Sequence, residues 1–287
     1  MQPFAYMRPE TLAEAVSLLA ERGPDTRVLA GGTDLLIRLR DGSVRPTVVV
    51  DVKRVPELAP GIRVGDGTLV IGATTTMTDI AAHPLVRQHL TALAEAAAVV
   101  GSVQIRNRAT MAGNLCNASP AADTAPPLLV HGAVVVVAGP AGERRIALDD
   151  FFVRSGVTTL APGELVVAVE VPTPASRIAS AHQRRTRRRG HDLASVTLAC
   201  GVDASGVTRI AYGSVGPRPI LFEDDSGVLA DATTQAEARD AVLEVVFAGA
   251  SPSVRSMRAG PEYRLAMLRV LGRRALAAAQ ARLAEGA

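Results

Sequence analysis

Residues 101–127 read G-S-V-Q-I-R-N-R-A-T-M-A-G-N-L-C-N-A-S-P-A-A-D-T-A-P-P, and the fold turns on how this stretch is understood. Helical patterning runs into it and an apolar strand follows it, but the stretch has neither period. It is small and polar, with Gly101, Asn107, Gly113, Asn114, Asn117, Ser119 and Asp123. A connection this long inside a compact domain is usually functional or disordered. Ile105, Met111, Leu115 and Cys116 are spaced through it as apolar anchors, which argues for order. Asn and Gly also accept positive φ where a turn demands it. The expectation is an ordered loop folded around a polar ligand.

A second stretch lies upstream: V-L-A-G-G-T-D-L-L at 28–36. Residues 28–30 read as the end of a buried strand, and 35–39 as a short helix stopped by Gly42. Gly31 and Gly32 fall in the turn between them. Glycines there let main chain approach a bulky anion, and successive N–H groups can form an anion-binding nest. By itself the pair is equally the mark of a tight turn. Neither G-x-G-x-x-G nor G-x-x-x-x-G-K-[ST] occurs, so the Rossmann and P-loop readings lose support.

Taken together, A-G-G-T-D-L-L at 30–36 and I-R-N-R-A-T-M-A-G-N-L-C-N-A-S-P-A-A-D-T at 105–124 resemble the FAD-binding medium subunits of molybdenum hydroxylases. That family includes the medium subunits of aerobic carbon monoxide dehydrogenases and the FAD domain of xanthine dehydrogenase. The resemblance covers nearly the whole chain. It implies an α+β fold, with an FAD-binding domain of the vanillyl-alcohol oxidase type over 1–176, in subdomains of about 1–56 and 57–176. A C-terminal α+β domain of the carbon monoxide dehydrogenase flavoprotein type, with a small antiparallel sheet and helices, is implied over 177–287.

The same resemblance implies FAD as the cofactor, with the two loops wrapping its diphosphate and main-chain donors doing most of the binding. The implied contacts are Leu29, Ala30, Gly31, Gly32, Thr33, Asp34, Thr75, Val100, Thr110, Met111, Ala112, Gly113, Asn114, Asp123, Val167 and Arg184. Asp123 would accept hydrogen bonds from cofactor hydroxyls. Arg184 would lie near the pyrimidine edge of the flavin, where a cation stabilises the charge that reduction builds up. No residue is expected to be catalytic or to bind metal. The molybdenum cofactor would sit on a large partner subunit and 2Fe-2S clusters on a small one. Electrons would pass through them to FAD here, then to an external electron acceptor. One position departs from the family, whose motif usually reads T-I-G-G-N where this chain has Thr110-Met111-Ala112-Gly113-Asn114. The methyl group of Ala112 requires negative φ or a wider approach of the backbone.

Composition is that of a globular protein: 287 residues, 48% hydrophobic, 21% charged, 3% aromatic and no Trp. Net charge is only +3. The one basic run, residues 184–189, has no aromatic beside it, so nucleic-acid binding is not supported. Two cysteines, Cys116 and Cys200, cannot supply the roughly four thiolates of an iron–sulfur cluster and read as small buried hydrophobes. The N-terminus lacks an apolar signal core, and no apolar run approaches the ~20 residues of a membrane span. A cytoplasmic protein is expected.

Along the chain, Thr11-Leu12-Ala13-Glu14 has the form of a capping box before a helix that ends at Gly23. Strands are expected at 47–52, 62–64, 69–71, 133–138, 144–148, 165–171, 181–188, 196–202 and 207–215. Helices are expected at 85–100, 233–247 and 261–283, the last with Tyr263, Met267, Val270 and Leu271 on one face. Thr74, Thr75 and Thr76 offer hydroxyls to a ligand, or Thr78 caps the helix that follows. Arg106 and Arg108 either offset diphosphate charge or face solvent. Asp192 reads best as a structural anchor. Two functional alternatives stand beside the subunit reading. One is a free-standing FAD-dependent oxidoreductase acting on a small molecule, and the other is a basic scaffold.

Overall fold

A computed structural model of the protein describes residues 2–173, 177–188 and 190–286. The boundary expected at 176 and Arg189 of the basic run lie outside the described residues.

The chain opens with a three-stranded parallel sheet in the order Ala5–Met7, Val48–Asp51, Thr26–Leu29. Val48-Val49-Val50 is buried on both faces and takes the central place, as an unbroken β-branched run should in a parallel sheet. Helix Leu12–Arg22 begins at Thr11, whose hydroxyl accepts from the Glu14 N–H at 3.1 Å. The return bond of the expected box goes to the Glu10 N–H instead of that of Thr11. Helix Leu35–Asp41 ends, as expected, at Gly42 in the left-handed region.

The middle of the chain forms a five-stranded antiparallel sheet, ordered Ile62–Gly65, Thr68–Gly72, Leu165–Pro172, Val134–Gly139, Gly142–Ala147. Three helices that pack on one another share its hydrophobic core. The single helix expected over 85–100 is instead Pro84–His89 and Thr91–Ala98, broken at Leu90 (φ −128°, ψ 50°). The break turns Leu90 fully into the core, and its carbonyl starts the next helix by accepting from Leu93 and Ala94 N–H. Helix Met77–Ala82 is capped by Thr76 and not by Thr78, whose hydroxyl meets Asn107 Oδ1 at 2.6 Å.

The stretch expected to be loop contains Val103–Arg106, Met111–Cys116 and the start of Ala125–Val130. Ser102 and Thr110 cap the first two, and each runs for about a turn. Helices this short are too brief to print a period on the sequence and are held by their caps and by tertiary packing.

A four-stranded antiparallel sheet follows, ordered Ile178–Arg185, Val196–Asp203, Thr208–Gly213, Ile220–Asp224. Its first strand starts and ends three residues earlier than the expected 181–188, and its last strand was not anticipated. Helices Ala236–Phe247 and Pro261–Glu285 pack on it. The long helix buries Arg264, Leu268, Leu271, Ala275, Leu276 and Ala279, whereas Tyr263 is 41% exposed. Of the face expected, Leu271 is buried and Met267 packs against the core, whereas Tyr263 turns outward, and leucines and alanines fill the rest of the buried side. The fold class is the α+β arrangement expected.

This last sheet is bolted to the middle of the chain. The Glu95 carboxylate accepts from the His182 N–H at 2.8 Å and from the Arg282 guanidinium, which also reaches the Ser180 carbonyl. His131 Nε2 meets Ser180 Oγ at 3.0 Å. The two C-terminal helices meet as closely, since a Cβ on Gly272 would lie 2.4 Å from Phe247 Cζ. Gly272→Ala should therefore overpack this contact at a cost of about 1–3 kcal/mol, seen as a lower thermal midpoint. A midpoint equal to that of the parent would show that the helices do not pack this closely.

Candidate cofactor site

Strand Thr26–Leu29 delivers the chain to Gly31 and Gly32, and the Gly31 backbone lies flat against the second loop. A Cβ on Gly31 would fall 2.0 Å from the Arg108 carbonyl oxygen, an overlap no side chain tolerates. Gly32 has φ +76°, which glycine adopts without strain. The two stretches, more than seventy residues apart in sequence, thus meet backbone to backbone. Between them opens a cavity of about 440 Å³, within the ordinary range of ligand sites.

Ala30, Gly31, Gly32, Thr33 and Asp34 line it from one side. Val100, Thr110, Ala112, Gly113, Asn114 and Asp123 line it from the other. The N–H groups of Gly31, Gly32, Thr33 and Asp34 donate to no acceptor among the described residues. Main-chain donors left open at a cavity wall suit an anion such as a diphosphate. The second loop behaves differently. Met111 N–H donates to Thr75 O at 2.9 Å and Ala112 N–H to Ala73 O at 3.1 Å. Gly113 N–H is held by the Thr110 hydroxyl and Asn114 N–H by the Thr110 carbonyl. Elsewhere in the second loop the N–H groups of Gly101, Ser119 and Asp123, all on the cavity wall, donate to no acceptor among the described residues, so open donors stand on both sides. Ala112 is helical with negative φ, so its methyl group fits without strain. Gly113 is helical too, and its constraint is the Thr110 hydroxyl, 2.9 Å from where a Cβ would sit.

Leu29, Thr75, Met111, Val167 and Arg184 lie off the cavity wall. The Thr75 hydroxyl is spent on Gly61, donating to its carbonyl and accepting from its N–H, each at 3.0 Å. Thr74 reaches the cavity, but its hydroxyl donates to Leu58 O. Met111 is fully buried. Arg184 supports the wall from behind. Its guanidinium donates to Asp123 Oδ2 at 2.7 Å, Val99 O at 2.8 Å and Asp192 O at 2.9 Å. Asp123 Oδ1, by contrast, is buried with no hydrogen-bond partner, and His182 Nε2 is 3.6 Å away. An orphaned carboxylate oxygen costs free energy unless a donor meets it, and it fits the role expected of Asp123 toward cofactor hydroxyls. Asp192 is the anchor expected. Arg187 pairs with it at 3.0 Å and the Leu193 N–H donates to it, holding its carboxyl down at about 2.

Arg106 spends its guanidinium on Val100 O, and Arg108 contributes its carbonyl, not its charge. The cations that do face the cavity are Arg27 and Arg38, which the sequence reading passed over. Arg38 lies on the helix that leaves the glycine turn, and that placement is the signal that would have found it. Cys200 is buried as expected. Cys116 is exposed and lines the cavity, which corrects its reading as a core residue.

Comparison with known proteins agrees with this site. Residues 2–174 match the family described as the FAD binding domain in molybdopterin dehydrogenase. Residues 181–279 match the CO dehydrogenase flavoprotein C-terminal domain. The chain is 34% identical to the carbon monoxide dehydrogenase medium chain of Hydrogenophaga pseudoflava, over 98% of each chain. It is 33% identical to the putative xanthine dehydrogenase FAD-binding subunit of Escherichia coli, over 96% of each. Among solved structures it superposes on a chain of carbon monoxide dehydrogenase from Oligotropha carboxidovorans with a TM-score of 0.91 at 30% identity, covering 98% of this chain and 99% of that one. On a chain of quinoline 2-oxidoreductase from Pseudomonas putida 86 the TM-score is 0.84 at 30% identity, with 97% of both chains covered. The glycine turn with its open donors, the facing loop and the full-length matches place the chain in one family: it belongs to the FAD-binding flavoprotein subunits of the molybdenum hydroxylases.

Proposed function

We propose that this subunit is the electron outlet of a molybdenum hydroxylase complex. It takes electrons from 2Fe-2S clusters on a small partner subunit, fed by a molybdenum cofactor on a large one, and passes them through FAD to an external electron acceptor. FAD supplies the redox chemistry when bound. The chain's own residues bind and orient it, and one observation carries the reading. Three carboxylates of the cavity wall are already committed, Asp123 to Arg184, Glu164 to Arg144 and Asp192 to Arg187, and the fourth, Asp34, stands in the glycine turn itself. What the wall leaves open is main-chain N–H, the Asp34 carboxylate and one oxygen of Asp123, a set that suits holding the phosphates and hydroxyls of a cofactor.

The printed names of the relatives support a partner-dependent role. They include carbon monoxide, xanthine and nicotinate dehydrogenase components, each called a chain or subunit. Flavin subunits this similar serve different substrates, so the substrate is chosen on another chain. The surface beside the cavity also suits a partner. Leu193 lines the cavity and is 52% exposed, and Met257 is 92% exposed on the loop that Arg187 holds through the Met257 carbonyl. Arg185, bonded to the Tyr263 hydroxyl, and Arg188 flank them. Exposed apolar residues among arginines are the composition of an interface. Among the described residues no helix is long and apolar enough to cross a membrane.

Two measurements test this reading. Gly31→Ala forces the two loops apart at a cost of about 1–3 kcal/mol. It should weaken FAD binding roughly 10- to 100-fold with the circular dichroism of the parent. Parental affinity in that variant would remove the cavity as the FAD site. Expressed with its genomic neighbours, the chain should purify with molybdenum- and iron-containing partners. Its flavin should be reduced by the substrate of the complex only when they are present. A lone chain whose flavin is rapidly reduced by a small organic substrate would favour the free-standing oxidoreductase.

A further inference from the structure

The charges around the cavity are unevenly settled. Its carboxylates at one end are paired with Arg184, Arg144 and Arg187. At the other end Arg38 makes no ion pair among the described residues, its charge acting only at a distance on Asp41 of the same helix, and it donates from Nη2 to the Asn117 side-chain oxygen at 2.6 Å. Both residues line the cavity. Arg38 stands on helix Leu35–Asp41, which leaves the first loop, and Asn117 caps helix Met111–Cys116 of the second. The bond joins walls 79 residues apart in sequence and lies exposed, at the rim. The same two walls also meet backbone to backbone, at Gly31 and the Arg108 carbonyl. Among the described residues the walls are therefore joined by one tight backbone contact and by one side-chain bond at the rim.

The rim bond is the part that can open. It joins a flexible four-carbon cationic stem to a neutral amide, in water, and such a bond is worth little enough to break thermally. Nothing comparable is available at the other junction, where glycine backbone and a carbonyl are already at contact. We infer that Arg38 and Asn117 form a bolt across the mouth of the cavity, and that it must open each time FAD enters or leaves. The cofactor's residence time is then set at the rim by two residues that need not touch it. Arg38 is a positioning residue in this account. The inference rests on the cavity being the FAD site.

The bolt makes a kinetic signature that direct contact with the cofactor does not. Removing a contact raises the release rate and leaves association nearly unchanged. Removing a bolt raises both rates, and the dissociation constant changes less than either. The experiment is stopped-flow binding of FAD to the deflavinated full-length chain, for the parent, Arg38→Met, Asn117→Ala and the double variant. Both side chains reach solvent, and far-ultraviolet circular dichroism checks that each variant is folded. Each single variant should quicken association and release by on the order of tenfold. The double variant should match the singles, because either change opens the same bond. Faster release in Arg38→Met alone, with slower or unchanged association and no effect of Asn117→Ala, would overturn the bolt and make Arg38 a direct phosphate contact. Unchanged rates in both singles would overturn it outright. A parent chain that takes up no FAD would instead remove the cofactor reading on which the inference stands.

Discussion

The site depends on one backbone contact. Gly31 lies so close to the Arg108 carbonyl that even a methyl group cannot be placed between them. That contact fixes the distance between two segments more than seventy residues apart in sequence, and the cavity opens between them. It aims the open N–H groups of 31–34 into the space that the second loop encloses. It also obliges Gly32 to turn back with positive φ, so that helix Leu35–Asp41 runs along the rim and brings Arg38 to Asn117. A cofactor with a long phosphate-bearing middle can then lie across the junction with its charge on main-chain donors. Such donors are already ordered and need no reorganisation on binding.

A second constraint holds the C-terminal unit against this junction. Arg184 ties Asp123 to Val99 and Asp192, so one guanidinium joins the second loop, the end of a core helix and the loop after its own strand. A Cβ on Gly213 would lie 2.5 Å from the Pro120 carbonyl, another backbone contact that only glycine allows. The bonds from Arg184 to Asp123 and Asp192 are half-buried, where a paired charge keeps much of its strength and a broken one is costly. The C-terminal unit is thereby part of the cavity wall, contributing His191, Asp192 and Leu193 to it.

Much of this was legible in the sequence. The glycine turn, the convergence of the two stretches and the cavity role of Gly31, Gly32, Asn114 and Asp123 could be read because glycine and small polar residues mark backbone that must bend or be approached. The β-branched run at 47–52 located its strand for the same local reason. What escaped was set by tertiary structure. Helices a turn or so long, capped by Ser102 and Thr110, leave no period. Leu90 breaks a helix because the core takes its side chain, not because of a local signal. On the last helix the buried side includes Arg264, Gly272 and Gln280, which a search for bulky apolar residues passes over. Arg184 carries the charge expected of it but spends it on Asp123, a partner 61 residues away that no spacing rule reveals. Arg38 was missed because exposed arginines on short helices are common and only the cavity gives this one a role.

The central claim is that two distant segments form one FAD cradle, and amide hydrogen exchange tests it most directly. The deflavinated chain and the FAD-loaded chain would be compared segment by segment. Loading should slow exchange together at 30–36 and at 109–123, with the open N–H groups of 31–34 gaining most. Protection confined to one of the two segments, or appearing only in the C-terminal unit, would contradict the account.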